Sequence, residues 1–213
     1  MPKLILPKPG EHLVFAGSTG SGKTYLAESM LKYFESYFAI DTQDSLEIPG
    51  IRLTNPRNLK VMLPLFPRIH YVPKPEWIER DVFDYLFRTL LESSTKKRPK
   101  PRVIYTDEIY HVGYGVNFPP WLPKSITTAR QRKLSFWTSS QRPAQIPIPI
   151  MSEATRMFVF MLNRDEDMKR VAGYARTDPK SLYVALREQQ KDNSFIQIDL
   201  TLGTWEKFPP LKR

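Results

Sequence analysis

The sequence predicts an α/β fold, with a mainly parallel central sheet flanked by helices and a small C-terminal extension. Three observations carry that reading. Short apolar runs alternate with longer stretches of helical periodicity. A glycine-rich loop joins the first apolar run to the first helical stretch. Several apolar runs then turn abruptly polar at their last residue, as strands do when their carboxyl ends face a ligand crevice.

The elements follow in chain order. Residues 12–16 read as a strand, and 23–36 as a helix with Leu26, Met30, Leu31 and Phe34 at helical spacing. Residues 37–40 form a second strand ending at Asp41. Residues 51–54 and 69–72 are brief extended segments among prolines. Residues 77–94 make a strongly amphipathic helix, with Trp77, Ile78, Val82, Tyr85, Leu86, Leu90 and Leu91 on one stripe. Strands are expected at 102–106, 134–139 and 156–162, a short helix within 120–132, and a polar helix at 165–174. Residues 194–200 alternate apolar and polar, as an edge strand does, and the last residues read as a tail. Residues 1–163 are taken as the core and 164–213 as an extension of the same domain.

Composition bounds the function. The 213 residues carry 32 Lys and Arg against 22 Asp and Glu, a net charge of +10, which favours a polyanionic partner. The chain has no cysteine, so disulfides, thiolate zinc sites and thiol nucleophiles are excluded. His12, His70 and His111 are too scattered in sequence to suggest a metal site. No run reaches the ~18 apolar residues of a membrane helix. A soluble, cytoplasmic protein without a transmembrane segment is expected.

Gly17-Ser18-Thr19-Gly20-Ser21-Gly22-Lys23-Thr24 is a complete phosphate loop between a strand and a helix. Glycines let successive amides turn inward, and those amides and the helix N-terminus receive phosphate oxygens. Lys23 is the residue that reaches the β- and γ-phosphates of ATP, and Thr24 offers its hydroxyl to Mg²⁺. The run Arg102-Val103-Ile104-Tyr105-Thr106 then ends in Asp107-Glu108. Asp107 would hold Mg²⁺ through water, and Glu108 would orient and deprotonate the attacking water. A third apolar run turns polar at Gln141, which would sit beside the γ-phosphate. Arg130 and Arg132 precede that strand at its far end, better placed for a neighbouring subunit's nucleotide than for their own.

Together, Gly17 to Thr24, Asp107-Glu108 and the stretch from Ala129-Arg130 to Ser140-Gln141-Arg142-Pro143 resemble the FtsK–HerA superfamily of P-loop ATPases, whose fold is RecA-like. The likeness is strongest to the genome-packaging ATPases of tailless, membrane-containing viruses. It implies ATP hydrolysis coupled to translocation of double-stranded DNA, a homo-oligomeric ring with a hexamer expected, and one arginine acting in trans. Arg130 is the closer match, with Arg132 left open. It also implies a host-cell or virion location, with a capsid vertex or membrane protein as partner. A phage assembly or secretion ATPase and a small-molecule kinase are the rival readings; the kinase would need an arginine-rich lid that the sequence does not show.

Two further segments concern nucleic acid. Lys96-Lys97-Arg98-Pro99-Lys100 is the densest positive run and reads as a solvated loop at the edge opposite the nucleotide. His111-Val112-Gly113-Tyr114-Gly115-Val116-Asn117-Phe118, with Lys124 nearby, either packs on the sheet or lines a ring's channel.

Overall fold

The computed structural model describes residues 6–113, 117–189 and 192–211. Its strands are β1 (His12–Ala16), β2 (Tyr37–Asp41), β3 (Ile51–Leu53), β4 (Arg68–Tyr71), β5 (Arg102–Asp107), β6 (Leu134–Ser140), β7 (Ala154–Val159), β8 (Phe195–Asp199) and β9 (Thr204–Phe208). The helices are α1 (Lys23–Leu31), α2 (Leu59–Leu65), α3 (Arg80–Glu92), α4 (Tyr110–Gly113), α5 (Trp121–Ala129), α6 (Ile148–Glu153), α7 (Asp165–Tyr174) and α8 (Pro179–Arg187). All strands join one sheet in the order β3-β4-β2-β5-β6-β1-β7-β8-β9. The pairs from β3 through β7 are parallel, and β8 and β9 are added antiparallel.

Burial explains the sequence pattern. β1 lies between β6 and β7, and all five of its residues are buried, so it reads as a continuous run rather than an alternation. Val14 and Ala16 face the larger core, under α2, α3 and α5 to α8, while Leu13 and Phe15 face the smaller core under α1. The latter is dense in aromatic rings: Phe15 stacks on Phe158 at 5.2 Å, and Phe195 on Phe208 at 5.1 Å. α3 buries Phe83, Leu86, Phe87, Leu90 and Leu91. Each such side chain contributes about 2 kcal/mol by burial, which outweighs the lack of an N-cap side chain on this helix.

Several expectations need correction. The first helix stops at Leu31, where Tyr33 and Phe34 bond back to Met30 and Leu31 and tighten the chain into a turn. The helix expected from Trp77 begins at Arg80, because Pro75–Trp77 forms a separate 3₁₀ turn. The strand expected at 156–162 spans Ala154–Val159. Residues 194–200 do not form the sheet edge, because β9 pairs outside β8. The turn between those strands is fixed by Asp199, whose carboxylate accepts the amides of Thr201 and Leu202. It also needs Gly203, whose φ is +68° and where a Cβ would fall 2.1 Å from the Arg176 carbonyl oxygen. α8 was not expected, although Asp178 caps it by accepting the amides of Lys180 and Ser181, with Pro179 at the first helical position.

The topology sorts the functional segments. The loops after β1, β2, β5, β6 and β7 leave the carboxyl end of the parallel sheet. The loops entering β5, β6 and β7 lie at the amino end, roughly 20 Å away by strand length.

Candidate nucleotide site and the opposite end of the sheet

The phosphate loop leaves β1 held on both sides. The Gly17 amide donates to Ser140 O of β6, and the Ser18 amide to Met161 O after β7. Gly22 sits at φ +102°, a left-handed conformation that turns the chain into α1. Lys23 is buried, and its Nζ donates to Ser18 O at 3.2 Å. Burial lowers its pKa, while the charges of Glu108 and Asp107 act to raise it. The hydroxyls of Ser18 and Ser21 are buried without a partner, the condition of donors waiting for phosphate oxygens.

The paired carboxylates lie at the end of β5 and are both buried. Tyr105 donates to Asp107 Oδ1 at 2.8 Å, and Ser45 donates to its Oδ2 at 3.4 Å. Glu108 occupies φ +52°, an uncommon conformation for a non-glycine residue. That bend aims its carboxylate at β6, where it accepts from Ser140 Oγ at 3.3 Å and from the Gln141 amide at 3.1 Å. The Gln141 side chain in turn accepts from Thr19 Oγ1 of the phosphate loop at 2.8 Å. The structure therefore links phosphate loop, Gln141 and Glu108 through consecutive hydrogen bonds. Burial pushes the carboxyls of Asp107 and Glu108 above the usual carboxylate range, partly offset by their hydrogen bonds and by Lys23.

Residues not singled out from sequence complete this end. Asp41, in register with Asp107 across β2 and β5, is fully buried. It accepts the amides of Gln43, Ser45 and Leu46, and bonds His70 Nε2 at 3.0 Å. Burial would raise its pKa, yet these bonds hold it below the ordinary value. It thereby fixes the loop that presents Ser45 to Asp107. Asn193, at φ +63°, turns its amide nitrogen to the carbonyls of Gly20 and Ser21, each at 3.1 Å. A polar residue closing a strand beside the Asp-Glu strand was the available signal for Asp41. Nothing local marks Asn193.

The two arginines before β6 differ. Arg132 Nη1 donates to Leu91 O and to Ser94 O, each at 2.8 Å, so it fastens the end of α3 within the same chain. Arg130 leaves 58% of its side chain exposed, with a long contact to Glu153 O at 3.4 Å. It lines a cleft of about 420 Å³ with Arg176, Thr155, Tyr174 and Thr201. β6 separates it from Gln141 by about 20 Å, beyond the reach of an arginine toward its own phosphate loop. Of the segment after Glu108, Val112 and Gly113 are buried and Phe118 packs against Gly113. Tyr114, Gly115 and Val116 lie outside the described residues. Lys124 sits over the Trp121 ring at 4.0 Å. Among the described residues, no helix is long and apolar enough to cross a membrane, and no group of three or more His, Cys, Asp or Glu could hold a metal by itself.

No family model and no curated protein matches the chain. Solved structures do. The genome packaging NTPase B204 from Sulfolobus turreted icosahedral virus 2, in complex with AMPPCP, is similar with a TM-score of 0.76 at 19% identity, covering 96% of this chain and 100% of that one. The pCW3 conjugation coupling protein TcpA with ATPγS gives 0.60 at 13% identity, covering 89% and 57%. EssC from Geobacillus thermodenitrificans gives 0.51 at 14% identity, covering 76% and 34%. At these identities the likeness is one of fold, and it is the α/β, RecA-like P-loop fold expected from sequence.

Proposed function

We propose that the chain is a Mg²⁺-dependent ATPase that works as a homo-oligomeric ring, translocates double-stranded DNA and packages a viral genome. The observation that carries the reading is the hydrogen-bonded line from Thr19 through Gln141 to Glu108, beside the buried Lys23 and Asp107. A kinase for small molecules needs no such water-activating carboxylate. The likeness in fold to a viral genome packaging NTPase over nearly the whole chain supports the choice among motors.

Each residue then has a role. The inward amides of Gly17 to Thr24 and the Lys23 ammonium hold the triphosphate. Thr24 and Asp107 are the residues that would hold Mg²⁺, and their hard oxygen donors fit it; the ion supplies charge neutralisation between the phosphates. Glu108 takes a proton from the attacking water as its oxygen bonds to the γ-phosphorus and the bond to the ADP oxygen breaks. Its raised pKa makes it a better base. Gln141 connects phosphate occupancy to Glu108 through Thr19. Arg130, on the opposite end of the sheet, completes the site of a neighbour, while Arg132 keeps α3 in place.

The test is the rate of phosphate release with and without double-stranded DNA, alongside the mass of the assembly. Stimulation by DNA in a multimer is expected. An unstimulated monomer that phosphorylates a small acceptor would replace this reading with the kinase.

A further inference from the structure

At the amino end of β5, away from the nucleotide site, lies a cavity of about 290 Å³. Cations from three separate elements converge on it: Lys60 from α2, Lys100 from the loop before β5, and Arg102 from β5 itself. Leu63 and Pro64 supply apolar wall. The one carboxylate lining it, Glu92, is bonded to Arg88 at 2.9 Å. Arg102 donates to Ser36 Oγ at 2.9 Å and to Leu63 O at 3.1 Å, while its remaining nitrogen, Nη1, is buried without a partner. Burial lowers its pKa to about 10, the effect of a guanidinium taken out of water without a counter-charge.

The cavity adjoins the densest positive run of the chain. Lys96, Lys97, Arg98 and Lys100 are all exposed, and none of them is in an ion pair among the described residues. Their backbone is nevertheless ordered into a turn: the Arg98 amide donates to Thr95 Oγ1, and the Lys100 amide to Ser94 Oγ. A merely solvated charge run has no reason to be fixed beside a cavity that adds the neighbouring Arg102 and, from a distant part of the sequence, Lys60. A row of anions spaced along a polymer would engage both features at once.

We infer that this basic face is the chain's nucleic-acid contact: the phosphodiester backbone of double-stranded DNA runs along Lys96, Lys97 and Arg98, with one phosphate seated at the Lys60–Lys100–Arg102 cavity. The inference rests on the DNA-translocase reading above and adds to it the surface that grips the substrate. It puts that grip at the start of β5, whose other end, about 17 Å away, carries Asp107 and Glu108. The contact carries no base recognition, because long flexible cations at the phosphates position a duplex without reading it.

The test is fluorescence anisotropy of a labelled mixed-sequence duplex across a salt series. It compares the wild-type chain with a K60S/K96S/K97S/K100S variant and a charge-matched control, K32S/K74S/K180S/K207S, at exposed lysines elsewhere. Arg102 is left intact because its bonds to Ser36 and Leu63 are part of the fold, and the thermal melts of all three proteins verify folding. The cavity variant should lose tenfold or more in affinity at moderate salt. Its slope of log affinity against log salt should flatten by about 0.9 for each phosphate contact removed. The control should keep the wild-type slope. Equal weakening of both variants, or no weakening of either, overturns the inference while leaving the motor reading standing. Failure of the wild-type chain to bind duplex DNA at any salt overturns both. If the wild-type chain also binds vesicles of anionic lipid, and the cavity variant loses that binding while keeping DNA, the face belongs to a membrane and the inference fails.

Discussion

The two ends of the parallel sheet hold most of their charge differently. At the carboxyl end, Lys23, Asp41, Asp107 and Glu108 are buried, and each is hydrogen-bonded within the chain. At the amino end Arg102 is also taken out of water, but Arg130, Arg176 and the cations from Lys96 to Lys100 are exposed, and among the described residues the one ionic contact these exposed groups make is the 4.0 Å approach of Arg130 to Glu153. Burying charge is expensive, so it persists where chemistry needs a fixed, dry arrangement. Leaving charge in water costs little and gains little until a partner arrives. The proposed roles follow this division, with a nucleotide fixed at the carboxyl end and groups from outside the chain meeting the amino end.

The comparison can be broken most forcefully at Arg130. Arg130→Ala should cut turnover by about 10³-fold or more with ATP binding retained, as measured by phosphate release and nucleotide titration. A change of less than tenfold would mean that the amino end contributes nothing to catalysis. Glu108→Gln probes the other end. It should lower turnover by about 10² to 10⁴-fold while ATP still binds. Because burial raises the Glu108 carboxyl, the wild-type rate should begin to fall, as pH drops, at a pH above that of an ordinary glutamate.

His12, the first residue of β1, tests the amino end from within the core. It is buried, bonded to Ile126 O and the Phe136 amide, and its pKa falls to about 4 through burial and the nearby Arg130. The folded state favours the neutral ring, so its contribution is complete above about pH 6.5 and is lost as pH falls toward 4. The loss is about 3 kcal/mol in total, readable by denaturant titration at several pH values. A His12→Gln variant should flatten that slope. The smallest effect belongs to Arg132→Ala, which should lower the melting temperature through about 2 kcal/mol of lost bonds to Leu91 O and Ser94 O. A loss of turnover without a loss of stability would instead place Arg132 in the catalytic site.

The same comparison shows what could be read from sequence. β1 and β5 were legible from their apolar stretches, 13–16 and 103–105, as strands buried on both faces read, β6 from Leu134, Phe136 and Trp137 despite the buried Ser135, Thr138, Ser139 and Ser140, and the phosphate loop because its backbone demands particular residues. The polar ends at Asp107-Glu108 and Gln141 followed from strand direction. β9 was not legible, since of its five residues only Phe208 is buried. α8 was missed because its buried stripe, Leu182, Ala185 and Leu186, is short and the apolar Val184 lies off it, exposed, although the Asp178-Pro179 start carried a signal. Asn193 reaches the phosphate loop only through tertiary closure. Arg130 and Arg132 look alike in sequence; what separates them is that Arg132 alone reaches the carbonyls at the end of α3.

The central claim is that one subunit's amino end completes its neighbour's carboxyl end. Mixing Arg130→Ala subunits with Lys23→Ala subunits tests it directly, since each alone is expected to be inactive for a different reason. Phosphate release should recover in the mixture, because some neighbouring pairs then join an intact Lys23 to an intact Arg130. No recovery, in a mixture shown by mass to contain both subunits in one assembly, would contradict it.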